Sequence, residues 1–563
     1  MKKIIKILFA PLFSFLFPSF LTSCSSNDGF YFANFESYIS QDLLDELESH
    51  QLMGFNGTKI DDFNYRTFST NEDLERNFYT NYDMAVPSTY LTVKLANEGQ
   101  LLPIDWKQFN LYKLDENGLR TNQKIEKASD ALSLFSPQVR SILLTYSLDE
   151  AYEKEPDKEK IDKCGGLLNY CVPYFLQNFG FAYKTTDGKE WDEFKSEFSW
   201  KTIVESMKKH EDYVKKISAV DDSRTLYSIG RLVETNDQNI NPGNSQPQLS
   251  ETYEIVESEK DYFQTYQNLI SGLSKNTYYL NSDSNNVLNS FAALNGSEAI
   301  FSYNGDILFG IQGGDNYAYD EKDPSDFQKW IETYINNEAS NTKNEEFFIK
   351  SASPKNSFLL LDTMVINRNR VKSEKEKKIA YSILYKIGLE GSDLSLYTDS
   401  KKTQYSDTAI FNNNSANNVN GPVQNFDYVQ YTSPLLTLNA YVLNSNSNIN
   451  KYNNSEVIPS YNLYNSLSSS VNGKGYFTDI YKEENLVKNS GNNGFLTKTQ
   501  YENYIDTLIS VYEITNLGIE GINSNCLNNN IQYYISNFTP RNISDLNKSN
   551  MSWAYSDVKS NYF

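Results

Sequence analysis

From Phe30 to Gly99 the chain alternates strand-like and helix-like stretches, and this order restricts the fold more than any other feature. Phe30 to Phe35 is a short aromatic run suited to a strand. Gln41 to Gln51 carries Leu43, Leu44 and Leu47 at helical spacing. Phe63 to Phe68 alternates like a strand, and Asn71 to Tyr79 reads as a helix with Asn71 as its cap. Tyr82 to Val86 is a buried-type strand, followed by a helix from Ser88 to Asn97 closed by Gly99. A βαβαβα order predicts a parallel sheet with helices on both faces, hence an α/β chain. In such sheets ligands sit beyond the carboxyl ends of the strands, where Pro87-Ser88-Thr89-Tyr90 falls.

The middle of the chain is less regular. Tyr170 to Tyr183 reads as extended, punctuated by Pro173 and Gly180. Ser325 to Asn336 is a helix with Phe327, Trp330, Ile331 and Tyr334 on one face. Asp362 to Asn367 is a strand, and Ser373 to Leu389 a helix with Ser373 and Glu376 placed as a capping box. Thr235 to Ser250, Phe411 to Pro422 and Leu443 to Pro459 are polar, with little periodicity, and read as loops.

The start of the chain is an export signal. Lys2, Lys3 and Lys6 precede an apolar run from Ile7 to Leu21, and small residues follow. The ending Leu21-Thr22-Ser23-Cys24 resembles the lipobox of bacterial lipoproteins, in which the Cys is diacylated and becomes the first mature residue. Residues 1–24 are therefore expected to be a lipoprotein signal, with Cys24 as the lipid anchor on the outer face of the membrane. No later segment supplies the ~20 apolar residues that a spanning helix needs.

Composition excludes more than it selects. With 563 residues, 39% of them hydrophobic, a large core is available. A net charge of −21 disfavours nucleic acid, which requires clustered Lys and Arg, and tolerates a cationic ligand. The two histidines, His50 and His210, read as solvated surface, which leaves a Ser-His-Asp or Cys-His mechanism without its base. No Walker loop or Gly-x-Gly-x-x-Gly is present, and Asn281 to Asn285 lacks the Gly and Glu of a calcium loop. No enzyme and no cofactor is nominated. Beyond Cys24 there are three cysteines, Cys164, Cys171 and Cys526; free, mostly buried thiols are the preferred reading, with a Cys164–Cys171 disulfide as the alternative.

Several runs, in order, resemble the bacterial spermidine/putrescine-binding proteins of ABC importers. They are Tyr31 to Tyr38, Tyr82 to Tyr90 with its Val86-Pro87-Ser88-Thr89-Tyr90 core, Glu98-Gly99, Ile104-Asp105, Val172 to Phe175, Phe179 to Tyr183, Asp221-Asp222-Ser223-Arg224, Tyr303-Asn304-Gly305 and Leu361 to Ile366. The resemblance covers about residues 30 to 440 with gaps. It implies a two-lobe type II periplasmic-binding-protein fold, with a central cleft and two interlobe crossovers. Residues 29–172 and 362–432 would form one lobe; residues 173–361 and 433–563 would form the other. The implied partners are a polyamine or other small organic cation, an ABC permease with its ATPase, and the membrane through the lipid anchor.

Carried over position by position, the resemblance implies a ligand site made of Phe35, Tyr38, Ser88, Tyr90, Asp222, Thr225, Tyr303, Asp362 and Tyr431. Asp222 and Asp362 would grip ammonium groups by charge-assisted hydrogen bonds, and the rings would hold the methylenes. Phe35 and Tyr303 stand where the family has Trp, Leu360 replaces a third Trp, and Thr225 stands where the family has Glu. One anchor is thereby lost, and two remaining carboxylates match a diamine, with Asp306 as a further source of charge. Two other readings stay open: a receptor of the same fold for another organic cation, and a surface adhesion or antigen lipoprotein whose binding fold is a relic, which the Asn/Ser-rich insertions suit.

Overall fold

The computed structural model describes residues 29–48, 63–115, 120–185, 190–235 apart from 197 and 213, 259–271, 277–335 and 348–393 apart from short stretches, 421–442, 476–512 apart from 490, 492 and 493, 521–522, 533–534 and 544–562. The leader with Cys24, His50, Cys526 and the polar stretches 236–250, 411–420 and 443–459 lie outside these residues.

Eleven strands organise the described chain: β1 Phe30–Phe35, β2 Phe63–Phe68, β3 Met84–Ala85, β4 Tyr112–Leu114, β5 Arg120–Lys124, β6 Cys171–Thr185, β7 Lys216–Val220, β8 Thr277–Asn281, β9 Ala299–Tyr303, β10 Phe348–Ala352 and β11 Leu359–Ile366. β4 and β5 pair by themselves, and a short pair, Gly521–Ile522 with Tyr533–Tyr534, stands apart. The other nine form one sheet in the order β2-β1-β3-β11-β6-β9-β7-β8, with β10 also on β6.

Two similar halves make up this sheet. β1 runs parallel to β2 and β3, and β7 runs parallel to β8 and β9. Each parallel trio then meets an antiparallel crossover strand, β11 beside β3 and β6 beside β9. β6 belongs to both halves: Cys171 to Asn178 pairs with β11, and Phe179 to Thr185 pairs with β9 and β10. The chain enters the second half along β6 and returns through β10 and β11. This is an α/β, two-lobe, type II periplasmic-binding-protein topology with two crossovers. A larger core gathers residues such as Phe32, Leu91, Val365 and Leu384, and a second gathers Phe181, Trp200, Ile217 and Phe301. Tyr303 and Leu360 pack against both. The C-terminal helix, Asp545–Tyr562, packs on the helices Glu259–Ser271 and Ser223–Thr235.

Several local expectations change. The helix Asn71–Asn81 is capped by Thr70, whose hydroxyl accepts from the Asp73 N–H at 3.2 Å. Asn71 is drawn away from capping because its amide donates to Ser88 Oγ and its carbonyl accepts from the Ser88 N–H, both at 3.1 Å. The third strand narrows to Met84–Ala85. Pro173 does not interrupt β6, because the pairing with β11 skips Tyr174 there, and a bulge tolerates a residue without an N–H. The capping box of Ser373 and Glu376 forms as expected, and its helix, Glu374–Leu384, ends in a π turn at Tyr385–Leu389. Gly421 and Pro422 open a helix, Gly421–Val429, rather than closing a loop. His210 is half-buried, its ring stacked on Trp191 at 4.1 Å and its Nε2 3.4 Å from Glu193, so it is not solvated surface. Cys164 is disulfide-bonded with a partner outside the described residues, whereas Cys171 is a free, buried thiol; neither the reading of free thiols throughout nor a Cys164–Cys171 bridge holds.

Candidate functional site

Register alone places the first part of the site. Residues directly opposite in an antiparallel pair project from the same face of the sheet. Tyr303 on β9 faces Phe179 on β6; Gln177 faces Leu360 on β11; Phe175 faces Asp362. Three neighbouring strands therefore present Tyr303, Phe179, Gln177, Leu360, Phe175 and Asp362 on one surface, spanning the junction of the two halves.

Asp362 lies at the bulge, where β11 shifts register between Asp362 and Thr363. Its carboxylate is buried, 1% exposed, and accepts three hydrogen bonds from neutral donors. Ser88 Oγ donates to Oδ1 at 2.7 Å and Tyr38 Oη donates to Oδ2 at 2.8 Å. The Gln177 amide donates to Oδ2 as well and to Tyr38 Oη at 2.6 Å. Ser88 caps the helix Thr89–Asn97 by backbone geometry, which leaves its hydroxyl for the carboxylate. Burial pushes the Asp362 carboxyl up to about 6, against the opposing pull of the bonds from Ser88, Tyr38 and Gln177. Among the described residues no Lys, Arg or His forms an ion pair with Asp362.

An aromatic chain leads away from Asp362. Tyr38 touches Phe35 at 5.8 Å, Tyr174 at 5.3 Å, Phe175 at 5.6 Å and Tyr431 at 5.5 Å between ring centroids. Tyr431 reaches Tyr303 at 6.4 Å, and Tyr303 meets Phe179 edge-on at 5.1 Å. Tyr431 lies so close over Gly305 that a Cβ there would fall 1.7 Å from its ring. The Tyr431 hydroxyl donates to Asp306 Oδ1 at 2.7 Å, and Ser302 Oγ donates to Oδ2 at 2.6 Å. Burial raises the Asp306 carboxyl too, the two hydroxyls opposing it.

The remaining predicted residues gather on the second half. Thr225 Oγ1 lies 3.3 Å from Tyr303 Oη, while the Thr225 N–H donates to Asp222 Oδ1 at 2.6 Å. Asp222 thus uses one oxygen to cap the helix Ser223–Thr235. Tyr90, at the start of the Thr89–Asn97 helix, carries the Arg224 guanidinium over its ring at 4.1 Å. The structure thus links Phe35, Tyr38, Ser88, Asp362, Tyr431, Tyr303, Thr225 and Asp222 in one series of contacts. Tyr90 sits beside them through Arg224.

Sequence reading missed Gln177, Asn71, Tyr174 and Arg224. Gln177 was within reach: in an extended segment it shares a face with Phe175 and Phe179 by the period of two. Arg224 stood inside a run already singled out. Tyr174 likewise falls in a run already singled out, whereas the contact of Asn71 with Ser88 had no local signal.

A family model described as "Hypothetical lipoprotein (MG045 family)" matches residues 1–562. The chain belongs to this lipoprotein family. Solved structures resemble this family member at low identity. The spermidine/putrescine ABC transporter substrate-binding protein of Streptococcus pneumoniae is 16% identical, with 86% of this chain and 98% of that chain covered and a TM-score of 0.38. The Tp0655 lipoprotein of Treponema pallidum is 13% identical over 64% of this chain and 80% of that one, with a TM-score of 0.38. The PBP MotA of A. tumefaciens B6, solved with glucopine, is 9% identical over 63% and 78%, with a TM-score of 0.31. Likenesses this distant do not speak to ligand, and the assignment of the fold rests on the strand order described above. No curated protein matches the chain.

In chemical terms, this MG045-family lipoprotein joins a buried carboxylate, a second enclosed carboxylate at Asp306 and a run of tyrosine rings at the seam between its halves. Among the described residues no group of three or more His, Cys, Asp or Glu side chains could hold a metal ion.

Proposed function

We propose that the protein is a lipid-anchored receptor on the outer face of the membrane that captures a polyamine, of the putrescine or spermidine kind, and presents it to an ABC permease without catalysing any reaction. The observation that carries this reading is Asp362: a buried carboxylate, held by neutral donors, at the end of an aromatic series. A desolvated carboxylate is poorly compensated by neutral hydrogen bonds. A ligand ammonium supplies the missing charge, each charge-assisted bond contributing about 1.5–3 kcal/mol. The faces of Tyr38, Tyr431 and Tyr303 suit a cation on an alkyl chain, with cation–π attraction of about 0.5–2 kcal/mol each. These rings contact one another here, so the ligand would enter by parting the halves and replacing ring–ring contacts with ring–methylene contacts.

Asp306 is the better second anchor. Asp222 is tied to its helix by the Thr225 N–H, whereas Asp306, although both its oxygens accept hydroxyl bonds, is linked through the Tyr431 hydroxyl to the ring that touches Tyr38. Two carboxylates suit a diamine, and Thr225 supplies a hydroxyl rather than a third charge. A thermal-shift screen of the mature chain against putrescine, spermidine, spermine, thiamine and amino acids tests the reading. Ligand bound to the folded state alone raises stability by RT ln(1 + [L]/Kd). A rise with diamines that disappears in Asp362→Asn is the expected result; a rise with amino acids alone would replace the polyamine by another ligand class.

A further inference from the structure

The C-terminal helix Asp545–Tyr562 meets both halves. Its buried side chains are Met551, Ala554, Tyr555 and Val558, spaced to lie on one face, and that face packs on the helices Glu259–Ser271 and Ser223–Thr235 of the second half. From this seat Tyr555 Oη donates to Asp221 Oδ1 at 2.6 Å and Lys559 Nζ donates to Asp221 Oδ2 at 2.6 Å. Asp221 immediately precedes Asp222, Ser223 and Arg224. The same stretch is held a second time, because Tyr266 donates to the Ser223 carbonyl at 2.6 Å and its ring meets Tyr555 at 5.2 Å.

The other end of the helix reaches across. Lys548 Nζ lies 3.1 Å from Glu75 Oε2, and Lys94 holds Oε1 of the same carboxylate. Glu75 is on the helix Asn71–Asn81, whose Asn71 amide bonds Ser88 Oγ, and Ser88 in turn bonds Asp362. Lys548 and Lys559 are eleven residues apart, about 16 Å along a helix axis, so one rigid element connects the support of Asp362 with the support of Asp222.

We propose that this helix is an interlobe strap. It positions the Asp221–Arg224 stretch of the second half and, through Lys548 and Glu75, holds the first half against it, so that the two halves are drawn together before any ligand arrives. Tyr555, Lys559 and Lys548 are positioning residues in this account: they act through Asp221 and Glu75 and touch no ligand. The strap goes beyond the polyamine reading and does not require it.

Small-angle scattering on the full-length mature chain without ligand reads the strap directly. Lys548→Glu sets two carboxylates against each other and is expected to increase the radius of gyration while the far-UV circular dichroism stays that of wild type. Lys548→Met, which removes the pair without adding repulsion, should move the radius in the same direction by less. Because Lys94 also pairs with Glu75, the charge swap that restores both attractions combines Lys548→Glu and Lys94→Glu with Glu75→Lys, and it should return the radius toward wild type. The proposal is overturned if both single variants keep the wild-type radius, or if the charge swap stays as expanded as Lys548→Glu alone. Because no ligand is present, a failure of polyamine binding leaves this readout untouched, and a failure of the strap leaves the ligand screen untouched.

Discussion

Burying Asp362 without a cation costs free energy that its three neutral donors return only in part. The sign of the resulting pH dependence follows from its raised carboxyl. The folded value of about 6 lies above the ordinary carboxylate range, so between pH 4 and 6 the folded state binds the proton more tightly than the unfolded one. Its contribution to stability is fully present below about pH 4 and is lost as pH rises through 6, amounting to roughly 3 kcal/mol at most. Ligand affinity runs the other way. An ammonium binds the ionised carboxylate, so the affinity of a diamine should fall about tenfold from pH 7 to pH 5. Kd measured across that range checks it, and a flat profile would remove Asp362 from the ammonium contact. Gly305 is a second constraint at this scale, since any Cβ there would displace the Tyr431 ring.

At the scale of elements, the β6 bulge decides how the site is assembled. By leaving Tyr174 out of the ladder, it aims that side chain at Tyr38 and at the amides of Asn34 and Asn425, which lie 3.2 and 2.9 Å from its hydroxyl. Tyr174→Phe would leave the buried Asn425 amide short of an acceptor, while the Asn34 amide and the Tyr38 carbonyl keep each other at 3.0 Å. We expect a loss of about 1–3 kcal/mol, read as a lower denaturation midpoint in urea at unchanged m-value. Elements with a strong local code were legible in the sequence: the aromatic strand at Phe30, the Ser373–Glu376 capping box and the Gly99 helix stop all form where they were expected. The cap at Asn71 was not legible, because a side chain that can cap locally was recruited by Ser88, and nothing near Asn71 announces a partner seventeen residues on. Pro173 misled for a related reason: it reads as a break until the partner strand shows where the register slips.

For the whole molecule, the parallel trio of the first half was readable from alternation, whereas the second half was not. There the crossover strand β6 pairs antiparallel with both β9 and β10, a relation without a short-range pattern. Asp362 was found through resemblance, but its solitary carboxylate and its link to Gln177 needed the assembled sheet. The C-terminal helix could not be given a role from sequence, since its charged contacts are 473 and 338 positions away, at Glu75 and Asp221. At the other end of the chain, the Leu21-Thr22-Ser23-Cys24 motif bears on where the molecule works. Two acyl chains anchor stably where one anchors marginally. Metabolic labelling with a fatty-acid probe should mark the wild type and leave Cys24→Ala unmarked; equal labelling would move the anchor elsewhere. Capture of a small diamine on Asp362 can be measured by titration calorimetry of putrescine into wild type and Asp362→Asn at pH 7. We expect saturable binding to wild type and at least a tenfold loss in the variant, roughly 1.4 kcal/mol or more. Equal affinities for the two proteins, or no heat of binding with wild type, would contradict it.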